Sequence, residues 1–125
     1  MKVTWLDQPE DHDYPAATAY LSLLCDPAVA QELADKLKAA PAWEAKAKDI
    51  ARASGLPLLS AEDPHVAADL EKVRKGKPLS PVLLVRGDLT RGTPLVIADG
   101  FHRVCAVHLV EPNTVVPARI VSYLP

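Results

Sequence analysis

The stretch Pro94-Leu-Val-Ile-Ala-Asp-Gly-Phe-His-Arg-Val-Cys-Ala-Val-His-Leu-Val110 decides how this chain is read. Leu95 to Ala98 is a short apolar run of strand length, partly β-branched. Asp99-Gly100 breaks it. Beyond the break, Val104, Val107, Leu109 and Val110 recur at near-helical spacing, and Pro112 closes the segment. The pattern predicts strand, tight turn and helix, with His102 and Arg103 in the first helical turn. The first amides of a helix lack intrahelical partners, and the helix dipole adds partial positive charge there. A glycine lets backbone approach a ligand, and an arginine forks onto phosphate oxygens. Gly100, His102 and Arg103 therefore stand where an anion site needs them. The same residues also fit an ordinary polar corner with solvated side chains, and pattern alone leaves both readings open.

The octet Asp99-Gly-Phe-His-Arg-Val-Cys-Ala106 resembles the D-G-x-H-R-x-x-A box of the ParB/sulfiredoxin-like superfamily. That superfamily includes the nucleotide-binding domain of chromosome-partitioning ParB proteins, sulfiredoxin, ParB-like nucleases and a free-serine kinase. The likeness in element order runs from about Leu56 to Val121. It implies a nucleotide- or phosphate-binding protein in which Gly100, His102 and Arg103 contact phosphates. Asp99 would order the turn or help hold Mg²⁺, and Asp99 and His102 are the candidate catalytic residues. The implied cofactor is a nucleotide (ATP, ADP or CTP) with Mg²⁺, and the implied reaction is phosphoryl transfer or nucleotide hydrolysis. Phe101 stands where sulfiredoxin has its catalytic cysteine, so sulfinic-acid reduction is not expected. The Glu-Arg-Arg form of the box found in ParB clamps is absent. A nuclease or nucleic-acid-associated regulator and a non-enzymatic interaction domain are the alternatives.

Working outward, Gly87 to Thr93 reads as a hairpin-like loop, and Leu79 to Arg86 as the strand before it. Val82 to Val85 are apolar enough for burial on both faces. Thr114 to Val121 is a last strand. Asp63-Pro64 is an N-cap followed by proline at the first helical position, opening a helix through about Lys75. Glu62, Asp63 and His65 lie in the turn where ParB-like proteins carry residues beside the nucleotide. Leu56 to Ser60 is expected to be a first strand, so the second half reads β-α-β-β-α-β.

Residues 1–54 are expected to form an N-terminal helical layer on that half, 55–125, within one domain of 1–125. Trp5 packs onto the body. Helices are expected over Ala16–Cys25, from Pro27 to about Ala40 behind the cap Asp26, and over Ala42–Ser54. The fold class is α+β: a compact ParB/sulfiredoxin-like half preceded by helices.

Apolar residues make up 49% of the chain and charged ones 24%, with a net charge of −2, the balance of a soluble globular protein. No apolar run reaches the ~18 residues of a membrane span. Two cysteines, Cys25 and Cys105, make no disulfide framework, and a cytoplasmic setting is expected. Residues 72–103 carry seven bases against Asp88 and Asp99. Such a stretch draws nucleotides or a nucleic-acid backbone when its charges share one surface. No metal set is expected: Cys105 and His108 are i, i+3 neighbours without a second pair, and His12 reads as solvated. The expected partner is a nucleotide or other phosphorylated ligand, with nucleic acid and a homodimer as further candidates.

Overall fold

The computed structural model describes residues 1–123. It is an α+β fold of five helices and one four-stranded mixed sheet. The elements in chain order are α1 (Asp13–Leu21), α2 (Pro27–Ala39), β1 (Trp43–Lys46), α3 (Ala47–Ser54) and α4 (Pro64–Arg74). There follow β2 (Val82–Arg86), β3 (Val96–Asp99), α5 (Phe101–Val110) and β4 (Val115–Ser122). The strand order is β1-β4-β2-β3. The central pair, β2 and β4, is parallel, while β1 and β3 run antiparallel to their neighbours at the two edges.

Side-chain alternation along the strands builds the layers. Val82 and Leu84 of β2, Ile97 of β3, and Val116 and Ala118 of β4 face α3 and α5, where they meet Ile50, Val104 and Val107. Leu83, Val85 and Ala98 face the other way, onto Ala17 and Leu21 of α1 and Leu33 and Leu37 of α2. The sheet is thus filled on both faces, and each fully buried Val or Leu contributes roughly 1.5–3 kcal/mol of transfer free energy. Helix α4 lies outside α5, joined to it through Val66, Cys105 and Ala106. The lead-in is tied down: Leu6 N–H donates to Leu79 O at 2.8 Å, Leu79 N–H to Thr4 O at 2.9 Å, and Trp5 packs against the α3–α5 core.

Three local expectations are corrected. The helix expected over Ala42–Ser54 divides: Trp43–Lys46 is β1, paired with Val115–Ala118, and only Ala47–Ser54 is helical. Trp-Glu-Ala-Lys alternates apolar and polar, and pairing with β4 takes Ala45 into the α3–α5 core. The stretch Leu56–Ser60 is not a strand. Leu56 and Leu58 are exposed, and Leu59 packs under α4 and α5. The second half therefore runs α-β-β-α-β, and the strand lining the outer edge of β4 comes from the first half. The first helix begins at Asp13 and stops at Leu21 rather than spanning Ala16–Cys25.

Candidate functional site

The turn between β3 and α5 places the box. Gly100 is the N-cap of α5 with φ 108°, a left-handed conformation that favours glycine. A Cβ there would lie 2.6 Å from Val82 Cγ1, so the glycine also lets the turn sit against β2. Among the described residues no side chain caps α5 or accepts from its first-turn amides.

These residues line a polar cleft of about 390 Å³. Four segments contribute. Glu10, His12 and Asp13 come from the start of α1, and His65, Asp69 and Lys72 from one face of α4. Ser80 comes from the approach to β2, and Asp99, Gly100, His102 and Arg103 from the β3–α5 corner. The predicted site residues Asp99, Gly100, His102 and Arg103 are therefore together.

Their orientations differ. Arg103 points inward, and its side chain is only 13% exposed. Its Nη1 donates to Ser80 O at 2.7 Å and to Pro81 O at 3.2 Å, and its Nη2 donates to Asp99 Oδ2 at 2.6 Å. Asp13 Oδ2 lies 3.6 Å from Nη1 and accepts from the Ser80 hydroxyl and from Glu10 N–H. This buried clasp joins α1, the β2 approach, β3 and α5. Three of the five donors a guanidinium offers are spent on the fold. Burial raises the Asp99 carboxyl to about 6, against the pull of Arg103 and with the push of the neighbouring Asp13.

His102 is the accessible member, with its side chain 42% exposed. Its ring lies 4.8 Å from the His65 ring, and its Nε2 lies 4.0 Å from Asp63 Oδ1. Asp63 caps α4, accepting from His65 N–H at 2.9 Å and Val66 N–H at 3.0 Å, and these bonds, led by Val66, hold its carboxyl below the usual range. Glu62 is not among the residues lining the cleft. Asp69 is raised by burial, opposed by the charges of Lys72 and Arg103 and by the two histidines.

Sequence reasoning missed Glu10, Asp13, Ser80 and Asp69 as cleft residues. His12 is solvated as expected, its side chain 76% exposed, and its Nε2 lies 3.1 Å from Glu10 Oε2 and 3.5 Å from Asp13 Oδ1. The ligand atoms of these three residues fall within 4.8 Å of one another, a spacing open to a metal ion. The available signal was their closeness in sequence, which shows a cluster but not the cleft it faces. Asp69 was legible in hindsight: His65 and Asp69 are i, i+4 on a helix whose apolar stripe lies elsewhere.

The bases of residues 72–103 do not share a surface. Arg74 and Lys75 pair with Glu71, Arg103 is internal, and Arg86 and Arg91 lie at the far end of the sheet. No protein-family model, curated protein or solved structure matches the chain.

Proposed function

We propose that the polar cleft binds a phosphorylated ligand, a nucleotide with its Mg²⁺. The observation that carries this reading is the uncapped start of α5 opening onto the cleft shared by Lys72, His65 and His102. Helix amides, a lysine and imidazoles on one concave surface suit phosphate oxygens. The box Asp99-Gly-Phe-His-Arg103 supports the same reading through its resemblance to ParB/sulfiredoxin-like proteins.

In this reading the phosphate contacts divide by exposure. His102, Lys72 and the amides beyond Gly100 meet the ligand, while Arg103 holds the turn in shape and adds its charge from behind. Glu10, His12 and Asp13 are the residues to hold the cation. Asp13 turns Oδ2 into the clasp and Oδ1 toward His12, which leaves an oxygen on the cleft side. Two carboxylates suit Mg²⁺, and the imidazole widens the choice toward Mn²⁺ or Zn²⁺. The metal's own contribution would be to neutralise phosphate charge. Where the ligand is turned over, Asp99 and His102 are the acid–base candidates. A carboxyl raised to about 6 is placed to exchange a proton near neutral pH. Phosphoryl transfer then asks mainly for positioning and charge stabilisation.

The test is a thermal-shift screen with ATP, ADP, CTP and GTP, with and without Mg²⁺, on the wild type and on Lys72→Ala/His102→Ala. A ligand at 100 times its Kd stabilises by about 2.7 kcal/mol. A shift in the wild type that is lost in the double variant is expected. No shift with any nucleotide, or a shift that survives in the variant, overturns the reading.

A further inference from the structure

A second cavity, of about 490 Å³, lies at the opposite end of the sheet from the polar cleft. It is a groove open to solvent along one side, lying between the α1–α2 corner and the end of β2, the start of β3 and the end of β4. Its walls are apolar: Leu21, Leu24, Cys25, Leu33, Val85 and Val96. Cys25 belongs with them chemically. Its thiol donates to Leu21 O at 3.4 Å, and burial pushes its pKa up, so it is a packing surface and not a nucleophile.

An apolar groove of this size leaves hydrophobic wall exposed to water, and a ligand that covers it gains from removing that area. Pockets of roughly 300–1,000 Å³ with apolar walls and a few polar groups at one end are the usual form of small-molecule sites. At roughly 30 Å³ for a water-sized group, this one holds on the order of fifteen heavy atoms.

The polar groups at its mouth define the ligand. Arg86 is engaged elsewhere, its guanidinium lying over the Trp43 ring at 5.7 Å. Arg91 remains. Among the described residues its ion pair is a loose one, Nε to Asp88 Oδ2 at 3.7 Å, and its side chain is 68% exposed, so the pair is screened and weak. Asp88 is held in place by its other oxygen, Oδ1, which accepts from Thr90 N–H at 2.9 Å and from the Thr90 hydroxyl, so it does not follow Arg91 when that side chain turns. Arg91 can therefore turn its fork to an incoming carboxylate, and Thr93 and Tyr123 also line the groove.

We propose that this cavity is a binding site for a small amphipathic carboxylate, a medium-chain or aromatic acid, with its apolar body among the Leu and Val side chains and its carboxylate on Arg91.

The probes are 8-anilinonaphthalene-1-sulfonate, decanoate and the neutral 1-decanol, used with the full chain. The dye is expected to brighten with one-site saturation and to be displaced by decanoate. Arg91→Gln, at an exposed position, is expected to weaken decanoate about tenfold and leave 1-decanol unchanged. Asp88→Asn keeps the Oδ1 acceptor for Thr90 but removes the competing charge, and is expected to tighten decanoate severalfold. Leu24→Trp, at a residue already 57% exposed, is expected to block dye and decanoate alike without altering the fold as read by circular dichroism. Failure of decanoate to displace the dye overturns the proposal. So does an Arg91→Gln effect of equal size on decanoate and 1-decanol. A dye response that disappears as gel filtration shows dimer forming also overturns it, since the exposed Tyr20, Leu23 and Leu24 would then be covered by a second copy.

Discussion

Arg103 Nη2 and Asp99 Oδ2 meet at 2.6 Å across the turn that joins β3 to α5. The pair is nearly enclosed, with side-chain exposures of 13% and 20%, and Asp13 stands behind it. Replacing Arg103 by alanine leaves two buried carboxylates without their cation and two carbonyls, of Ser80 and Pro81, without their donor. Breaking one partner out of such a buried pair costs roughly 3–5 kcal/mol. Arg103→Ala is expected to lose about that much in urea denaturation, whatever ligand is present. Arg103→Lys should recover only part of it, because a single ammonium cannot span all the acceptors. A loss below ~1 kcal/mol would show that the clasp is not structural.

The raised Asp99 carboxyl gives stability a definite pH dependence. An unfolded aspartate titrates near ~3.9, and the folded one near 6. Between those values the folded chain keeps a proton that the unfolded chain has lost. This contribution is complete below ~3.9, and it is lost as pH rises through 6. Asp99→Asn mimics the protonated form. The melting temperature of the variant relative to wild type should therefore be more favourable at pH 7.5 than at pH 5. Melts in matched buffers at the two pH values decide it, and a constant difference removes Asp99 as the titrating group.

Two glycines with positive φ separate backbone strain from close packing. Gly92 (φ 68°) has open space where a Cβ would go, whereas Gly100 (φ 108°) faces Val82 Cγ1 at 2.6 Å. Gly92→Ala should cost about 1 kcal/mol from conformation alone. Gly100→Ala should cost at least ~1 kcal/mol more, because the turn must move off β2. Equal losses in denaturant titrations would mean that the contact with Val82 relaxes freely.

His102 and Lys72 should be almost silent in stability. Both are exposed on the cleft and neither anchors a buried partner, so each alanine variant is expected within ~0.5 kcal/mol of wild type. Their effect should fall on nucleotide response alone, and a large loss of stability in either would identify it as part of the scaffold.

The sequence made the β3–turn–α5 corner legible because three signals agree there: a β-branched run, an Asp-Gly break and a helical stripe ended by proline. The α4 cap was legible for the same reason, Asp63-Pro64 doing in the structure what its residue types favour. Trp43 to Lys46 was not. Four residues beside a strong helical pattern carry too little local preference to oppose it, and the deciding partner, Val115 to Ala118, lies about seventy residues away. The cleft was half legible. Which residues approach one another around Gly100 follows from the turn, but the inward aim of Arg103 depends on Asp13 and Ser80, and neither spacing nor charge links those positions. The same long-range dependence dispersed the basic stretch, whose members read as one patch only along the chain.

The placement of β4 between β1 and β2 bears on how the chain is made. Neither the edge strand β1 nor the β2–β3 hairpin is bonded to the other except through Val115–Ser122. Until residue 122 has left the ribosome, the two parts of the sheet present open strand edges to solvent. Folding of this sheet should therefore be slow for its number of strands, since the one that closes it is the last of the four along the chain and pairs with partners far away in sequence.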